Sequence, residues 1–407
     1  MDIGVVGSGL AGGVLTLLLR RAGYQVTLVD NREPLRSVDA RPDPRALAVT
    51  PASRCILEQA RVWPQLPPDR IGHLHGMQVW DAAGRGAIRF AAGDIDEPAL
   101  GYIIEAGVMQ YAIDAALAGD DGLVWQRPAT PVDLQFESDR VRLELDNGRQ
   151  LAARLLVAAD GQQSSTRGLA GIHYPAVPYP QKAVAAVVET AWPHEMIARQ
   201  RFLATGPLAF LPMAGSHQCG IVWSTTPDHA ETLLAMADDA FADAAATAFG
   251  HELGRINSVG RRGAFPLLRA QAARYVRERF ALVGDAAHSL HPLAGQGANM
   301  GWLDVACLLE VLNGAADPGR WRALRRYERW RRSDNYIMQL ALDGLHHLFL
   351  RGEWPIRRLR NMGLAMTDRS GPVKNYLMRY AMGRAGDLPA LARCRSGGGS
   401  QSRQNPF

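Results

Sequence analysis

Short apolar runs that stop at a polar turn set the rhythm of this chain. Ile3-Gly4-Val5-Val6 ends at Gly7-Ser8-Gly9-Leu10-Ala11-Gly12, Leu155-Leu156-Val157-Ala158-Ala159 ends at Asp160-Gly161, and Phe280-Ala281-Leu282-Val283 ends at Gly284-Asp285. Runs of this length bounded by turn residues predict buried strands that deliver their next polar group to the rim of a sheet. Behind the first run, Leu15, Leu18 and Leu19 predict a helix to Gly23, and residues 25–29 a second strand ending at Asp30. Behind the third run, Pro292, Gly295 and Gly297 predict a loop open to a ligand. Leu303, Ala306, Leu309 and Leu312 then recur at helical spacing. A helix N-terminus fed by such a loop carries free N–H groups and partial positive charge, which suits an electron-rich ligand atom.

Elsewhere the pattern predicts a helix over 51–63 stopping before Pro64, a hairpin over 77–90 around Ala83-Gly84, a helix over 105–117, and strands over 132–136 and 141–145. Residues 171–266 change character. Prolines, β-rich runs (182–190, 208–213, 220–224) and an Ala-rich helix (231–249) predict a sheet-containing domain inserted into the first. Beyond 320 the chain reads as helical. Ile337, Leu340, Ala341, Leu345, Leu348 and Phe349 form a stripe expected to pack on the body of the protein, with a membrane surface as the second reading. A helix over 373–382 follows, and the Gly- and Ser-rich residues 396–407 are expected to be disordered. The expected fold class is α/β. A Rossmann-like domain comprises 1–75, 100–170 and 267–319, the inserted mixed-sheet domain 76–99 and 171–266, a helical region 320–385, and a tail 386–407.

Composition narrows the class without naming a function. With 407 residues, 47% hydrophobic and 21% charged, the chain is long enough for more than one domain. No apolar run approaches the roughly 20 residues that cross a bilayer, and the strand-like start behind Met1 leaves no room for a signal peptide. A cytoplasmic protein is expected. Cys55, Cys219, Cys307 and Cys394 show no Cys-x-x-Cys pairing, so they read as reduced thiols, with neither a metal site nor a disulfide framework. The net charge of +5 is concentrated: residues 320–332 hold seven Arg among aromatic residues. That run reads as a solvated helix face with Trp and Tyr turned inward, then as a membrane or docking surface. No nucleic-acid-binding fold accompanies it.

Gly7, Gly9 and Gly12 between a strand and a helix, with Asp30 about 20 residues beyond, form the dinucleotide-binding fingerprint in its required context. Gly7 makes the tight turn, Gly9 permits approach to a pyrophosphate, and Gly12 lets helix pack on strand. The fingerprint leaves FAD and a nicotinamide dinucleotide open. Asp160-Gly161-Gln162-Gln163-Ser164-Ser165-Thr166-Arg167 again sets a carboxylate at a strand end. Arg45, between Pro42 and Pro44 on one side and an apolar run on the other, is either a surface arginine or a phosphate contact. No Gly-x-Ser-x-Gly and no His-Glu-x-x-His occurs.

Taken in order, these three motifs resemble those of the class A flavoprotein monooxygenases, the p-hydroxybenzoate hydroxylase-like family. Gly284-Asp285-Ala286-Ala287-His288 followed by His291-Pro292-Leu293-Ala294-Gly295-Gln296-Gly297 is most similar to the ubiquinone-biosynthesis branch. The resemblance implies FAD as cofactor and NAD(P)H as transient electron donor. It also implies hydroxylation of an electron-rich phenol by O2 through a C4a-hydroperoxyflavin, with no protein residue as nucleophile. It places Asp285, beside Gly284, on the ribityl hydroxyls, and the backbone of Gly295, Gln296, Gly297, Ala298 and Asn299 at the pyrimidine edge. Pro292, Gly295 and Gln296 would flank the oxygen site. Asp160 and Gly161 would serve FAD and NAD(P)H, and Arg45 and Gln110 the pyrophosphate side.

Phe210, Leu211, Met213, Val222 and Trp223, in a segment similar to the same branch, are expected to line a pocket for a polyprenylphenol. No base is named, and His288 and His291 are expected to donate to backbone carbonyls. Residues 202–224 lean towards hydroxylation at ring C5, whereas 325–382 also resemble the C6 enzyme. A hydroxylase of small aromatics or quinolones and a non-catalytic FAD-binding assembly subunit are the rival readings. The resemblance further implies a quinone-biosynthesis protein complex and a membrane surface as partners, with the oligomeric state open.

Overall fold

A computed structural model describes residues 1–84, 86–291, 295–350 and 353–394. The chain begins with β1 (Ile3–Val6), α1 (Leu10–Arg21), β2 (Val26–Val29), β3 (Ala46–Val49) and α2 (Pro51–Gln59). There follow β4 (Gly72–Leu74), β5 (Gly76–Asp81), β6 (Ala87–Ala91), β7 (Gly101–Glu105), α3 (Ala106–Ala118) and β8 (Val124–Gln126). Next come β9 (Pro131–Phe136), β10 (Val141–Leu145), β11 (Gln150–Ala153), β12 (Leu155–Ala158) and α4 (Ser165–Leu169). The middle of the chain supplies β13 (Ala176–Thr190), β14 (Ile197–Leu203), β15 (Gly206–Pro212), β16 (Gln218–Thr225), α5 (Pro227–Ala235), α6 (Asp238–Phe249) and β17 (Ile256–Gln271). It closes with β18 (Val276–Arg277), β19 (Phe280–Leu282), β20 (His288–Ser289), α7 (Gly297–Leu312), α8 (Trp321–Leu350), α9 (Trp354–Arg369) and α10 (Gly371–Ala381).

The three apolar runs, distant in sequence, lie side by side. One sheet has the order β18-β19-β12-β1-β2-β8. Parallel pairing aligns Val6 with Ala158 and Ala158 with Leu282. Every residue of β1, β2, β12 and β19 is buried, as expected of a parallel sheet covered on both faces. The register brings Gly7, Asp160 and Gly284-Asp285 to one rim. The order turns at β1, between β2 and β12, where an open α/β sheet forms its ligand crevice.

A second, eight-stranded sheet has the order β20-β17-β13-β16-β15-β14-β5-β6. Alternation along its strands gives it two different faces. Phe210, Ile221 and Trp223 join Phe241, Ala245 and Phe249 of α6 in a core on one side. On the other side Val187, Leu211 and Met213 meet Ala46, Ala48 and Ile103, at the small sheet β3-β7-β4. A Cβ on Gly220 would stand 3.0 Å from that of Ala46, so the bare glycine is what lets the two sheets approach.

Four sequence expectations change. The single helix expected over 231–249 is two, α5 and α6, because Met236 and Ala237 between them take extended backbone. The helix expected to Trp63 stops at Gln59, because Ala60 caps it and Arg61 takes a left-handed φ of 58°. The stripe Ile337, Leu340, Leu345 and Leu348 is exposed rather than packed, with only Phe349 of the larger side chains turned inward. The buried side of α8 instead runs through Tyr327, Arg331, Asn335, Leu342, His346 and Phe349, and its polar members hid it from a reading by apolar spacing. Finally, Cys55 and Cys394 form a disulfide, while Cys219 and Cys307 are free and buried. The tail is therefore anchored at least to Cys394, with Ala390–Ala392 in a 3₁₀ turn packed on α2 and α7. Residues 396–407, expected to be disordered, lie outside the described residues. Among the described residues, no helix is long and apolar enough to cross a membrane.

Candidate functional site: a cofactor cleft at the sheet rim

The first glycines divide by what surrounds them. Gly7 has φ +98°, and a Cβ on Gly12 would lie 1.9 Å from the Gly7 carbonyl oxygen, so Gly12 is required for packing. A Cβ on Gly9 would meet nothing within 4 Å. Gly9, Gly161 and Gly297 all face open space in this way; Gly9 and Gly161 sit at the rim that the register creates, and Gly297 begins α7. Space beside bare backbone is what a dinucleotide needs.

Asp30 is nearly saturated by its own chain. Its Oδ2 accepts from the Ser8 amide (2.5 Å) and hydroxyl (2.6 Å), and its Oδ1 from the Arg32 amide (2.7 Å). A carboxylate has about four acceptor positions, so about one stays open to a ribose hydroxyl. Arg32 reaches back to Ser8 Oγ (3.2 Å) and pairs with Asp114 (3.1 Å). Gln110 donates to the Ser8 carbonyl (3.0 Å) and to Asp114 (3.1 Å). The structure thus brings Gln110 to the glycine turn. Arg45 is more remote: its side chain is exposed at the start of β3, pairing with Asp43 at 3.4 Å and approaching the Phe265 ring. The cation fixed at the turn is Arg32, which sequence reasoning missed; its position two residues past Asp30 was the available signal.

The second and third motifs are tied together. Asp160 supports the start of α4, whose cap is Ser164, accepting from Ser164 Oγ (2.5 Å) and the Thr166 amide (3.1 Å). Arg167 is buried, stacks 3.7 Å over Tyr174 and donates to the carbonyls of Ala286 (2.9 Å) and Gln162 (3.0 Å). Asp285 differs from Asp160. Its carboxylate is exposed to solvent and hydrogen-bonds to no other described residue. Such a group is an acceptor awaiting donors.

A buried ionic network supports this turn. Asp304 of α7 accepts from the Gly284 amide (3.1 Å) and His288 Nε2 (2.6 Å) through Oδ2, and from Arg331 Nε (2.9 Å) and Asn335 Nδ2 (3.2 Å) through Oδ1. Burial alone would raise the Asp304 carboxyl, but His288 and Arg331 hold it below its usual range. Sequence reasoning missed Asp304 and assigned Arg331 to a solvated face.

The loop before α7 is clamped by Asn299. Its amide donates to the carbonyls of Ala48 (2.7 Å) and Gly295 (3.1 Å), and its oxygen accepts from the Thr50 amide (3.0 Å). Gly295 has φ +59° and packs against Ala48. Gln296 reaches the Ala381 carbonyl (3.3 Å). The first bond of the α7 ladder is Met300 N–H to Gln296 O, so the N–H groups of Gly297, Ala298 and Asn299 precede the helix's own bonding. Pro292 lies outside the described residues.

The five expected pocket residues separate by face. Leu211 and Met213 lie towards β3, and Val222 shares their side by alternation with Gly220. Phe210 stacks on Phe249 at 3.9 Å and Trp223 packs edge-on to His229 at 5.4 Å, on the far side. The histidines also depart from expectation. His288 bonds a carboxylate rather than a backbone carbonyl, and His291 Nε2 meets Gln181 Oε1 at 3.4 Å. His291 is buried beside His346 and Tyr179, and that burial and the neighbouring His346 push its pKa down to about 3.

Two strand ends bearing glycine turns, a third bearing an exposed carboxylate, and the N-terminus of α7 beside them form a site suited to a dinucleotide cofactor. The chain belongs to the family described as FAD binding domain, which matches residues 1–335. It is 35% identical over 387 residues to the 3-demethoxyubiquinol 3-hydroxylase of Escherichia coli K12, covering 94% of this chain and 98% of that one. It is 36% identical over 386 residues to the ubiquinone hydroxylase UbiL of Rhodospirillum rubrum, covering 94% and 89%. The fold is shared with p-nitrophenol 4-monooxygenase from Pseudomonas putida DLL-E4 at a TM-score of 0.75 and 17% identity, covering 95% and 99%. The protein is an FAD-dependent monooxygenase.

Proposed function

We propose that this monooxygenase hydroxylates a polyprenylated phenol in ubiquinone biosynthesis, with NAD(P)H as electron donor and ring C5 as the favoured position. Similarity to ubiquinone hydroxylases along nearly the whole chain carries the ubiquinone part of this reading, and the lean towards C5 rests on residues 202–224 alone. Leu211 and Val222, which stay half-buried on the sheet face where Met213 is packed under β3, support it, since they suit a greasy ring with a prenyl tail.

Bound FAD supplies the redox and oxygen chemistry, and this chain's residues bind, orient and exclude water. Gly7 and Gly9 admit the pyrophosphate, Arg32 adds positive charge beside it, and Asp30 offers its remaining acceptor position to the ribose. Asp285 accepts from the ribityl hydroxyls. The Gly297, Ala298 and Asn299 N–H groups would hold the bound flavin and stabilise negative charge on it, with Asn299 fixing their direction. Residues 1–75, 100–170 and 267–319 serve as the FAD domain and 76–99 and 171–266 as the substrate domain, with the end of β17 and β20 extending the substrate sheet from the FAD-domain side. Deleting the gene in its host and identifying the accumulating prenylated compound by mass spectrometry tests the proposal. A polyprenylphenol lacking one ring hydroxyl, with ubiquinone lost, is expected, and the missing position names the step. Unchanged ubiquinone in a host with no second hydroxylase would refute it.

A further inference from the structure

Helices α8, α9 and α10 present apolar residues outward. Among the described residues, twelve of the 22 exposed large hydrophobic side chains fall between Tyr336 and Leu377. They are ordered. On α9, Leu359, Met362 and Met366 recur at helical spacing, with Leu359 and Met366 each 63% exposed, while Arg360 of the same helix is buried on Asp81 at 2.9 Å. On α10, Val373, Tyr376 and Leu377 share an exposed face and Met378 turns inward. A patch of this extent marks an interaction surface.

The charges around it select the partner. Around the exposed side of α8 the chain reads Arg322, Arg325, Arg329, Arg332, then Tyr336, then Ile337, Leu340, Leu345 and Leu348. Cations, an aromatic and aliphatic residues thus follow one another in the order of lipid headgroups, interface and acyl chains. Between residues 354 and 381 the sequence has six basic residues and one acidic one. Exposed Arg358, Arg369 and Arg379 accompany the apolar stripes, and Arg358 lies over the ring of Trp354, itself 61% exposed at the start of α9. A protein partner would not require that order. An anionic bilayer does, because basic groups seek its surface while apolar and aromatic side chains enter the boundary region.

We infer that the outer faces of α8, α9 and α10 form a docking surface for an anionic lipid bilayer, on which the protein lies without crossing it. The inference stands on the surface itself and is independent of which ring the enzyme hydroxylates. Flotation of the full-chain holoenzyme tests it, with vesicles of phosphatidylcholine alone and of phosphatidylcholine with phosphatidylglycerol. Binding is expected to the anionic vesicles, weakened about tenfold or more by high salt or by omission of the anionic lipid. Leu359→Glu with Met366→Glu is expected to abolish flotation while flavin content and melting temperature persist. Arg325→Glu with Arg329→Glu, which alters only exposed side chains, should weaken it about tenfold and provides the result if the first variant misfolds. Equal binding to both vesicles, or none, overturns the inference. So does a concentration-dependent dimer, in place of vesicle binding, that Leu359→Glu with Met366→Glu dissociates. Neither outcome touches the hydroxylase assignment, which the metabolite experiment tests separately.

Discussion

Gly9 and Gly12 are three residues apart in one turn, yet a methyl group at each has a different consequence. At Gly12 it would collide with backbone, so Gly12→Ala should destabilise the fold by several kcal/mol or prevent folding. At Gly9 it would enter empty space, so Gly9→Ala should leave the melting temperature of the flavin-free protein unchanged and weaken FAD binding about tenfold or more, read by flavin titration. An unchanged FAD affinity would refute the role given to Gly9. Asp285→Ala belongs to the same test. Its carboxylate supports no other described residue, so the variant should fold normally and release flavin on gel filtration. Both residues were legible in the sequence because a glycine or an aspartate at a strand end has few alternative uses.

At the scale of elements, the Asp304, His288 and Arg331 network joins α7, the Gly284 turn and α8. Arg331→Met would strand a buried carboxylate and should cost about 3–5 kcal/mol in denaturant unfolding. Asp304→Asn with Arg331→Met should recover much of that loss, since no charge is then left unpaired.

The packing of α8 on the second sheet also sets a pH response. His291, depressed to about 3, and His346, also lowered by burial, stay neutral in the folded protein while the unfolded chain protonates near pH 6.5. Their contribution is complete above about pH 6.5 and is lost as pH falls towards the folded values, by up to about 1.4 kcal/mol per pH unit for each imidazole. Urea midpoints between about pH 7 and pH 5 should fall accordingly, and His291→Gln should flatten the slope. An unaltered slope would show that His291 is accessible to protons in the folded state. Neither network was legible in sequence: Asp304 looked like any helical carboxylate, and the polar residues inside α8 broke the apolar period by which buried faces are recognised.

For the whole molecule, the Cys55–Cys394 bond ties the end of the described chain to α2 across 339 residues. Peptide mapping without reduction should recover the two cysteines as one linked fragment, and Cys394→Ser should lower stability by about 2–4 kcal/mol. Free thiols at both positions would refute the bond.

The sequence by itself determined the three strand-and-turn motifs, a dinucleotide as cofactor and the α/β character. Each rests on local chemistry, an apolar run closed by a glycine or a carboxylate, and needs no knowledge of neighbours. Only the tertiary structure decided that Leu211 and Met213 face β3 while Phe210 and Trp223 face α5 and α6, because one residue of strand register reverses a side chain's direction. Only it brought Arg32 to the glycine turn, paired Arg331 with Asp304, and left the apolar stripe of α8 outside. Those outcomes depend on which elements meet, and burial of a charge or exposure of a leucine is a property of the partner surface, not of the residue.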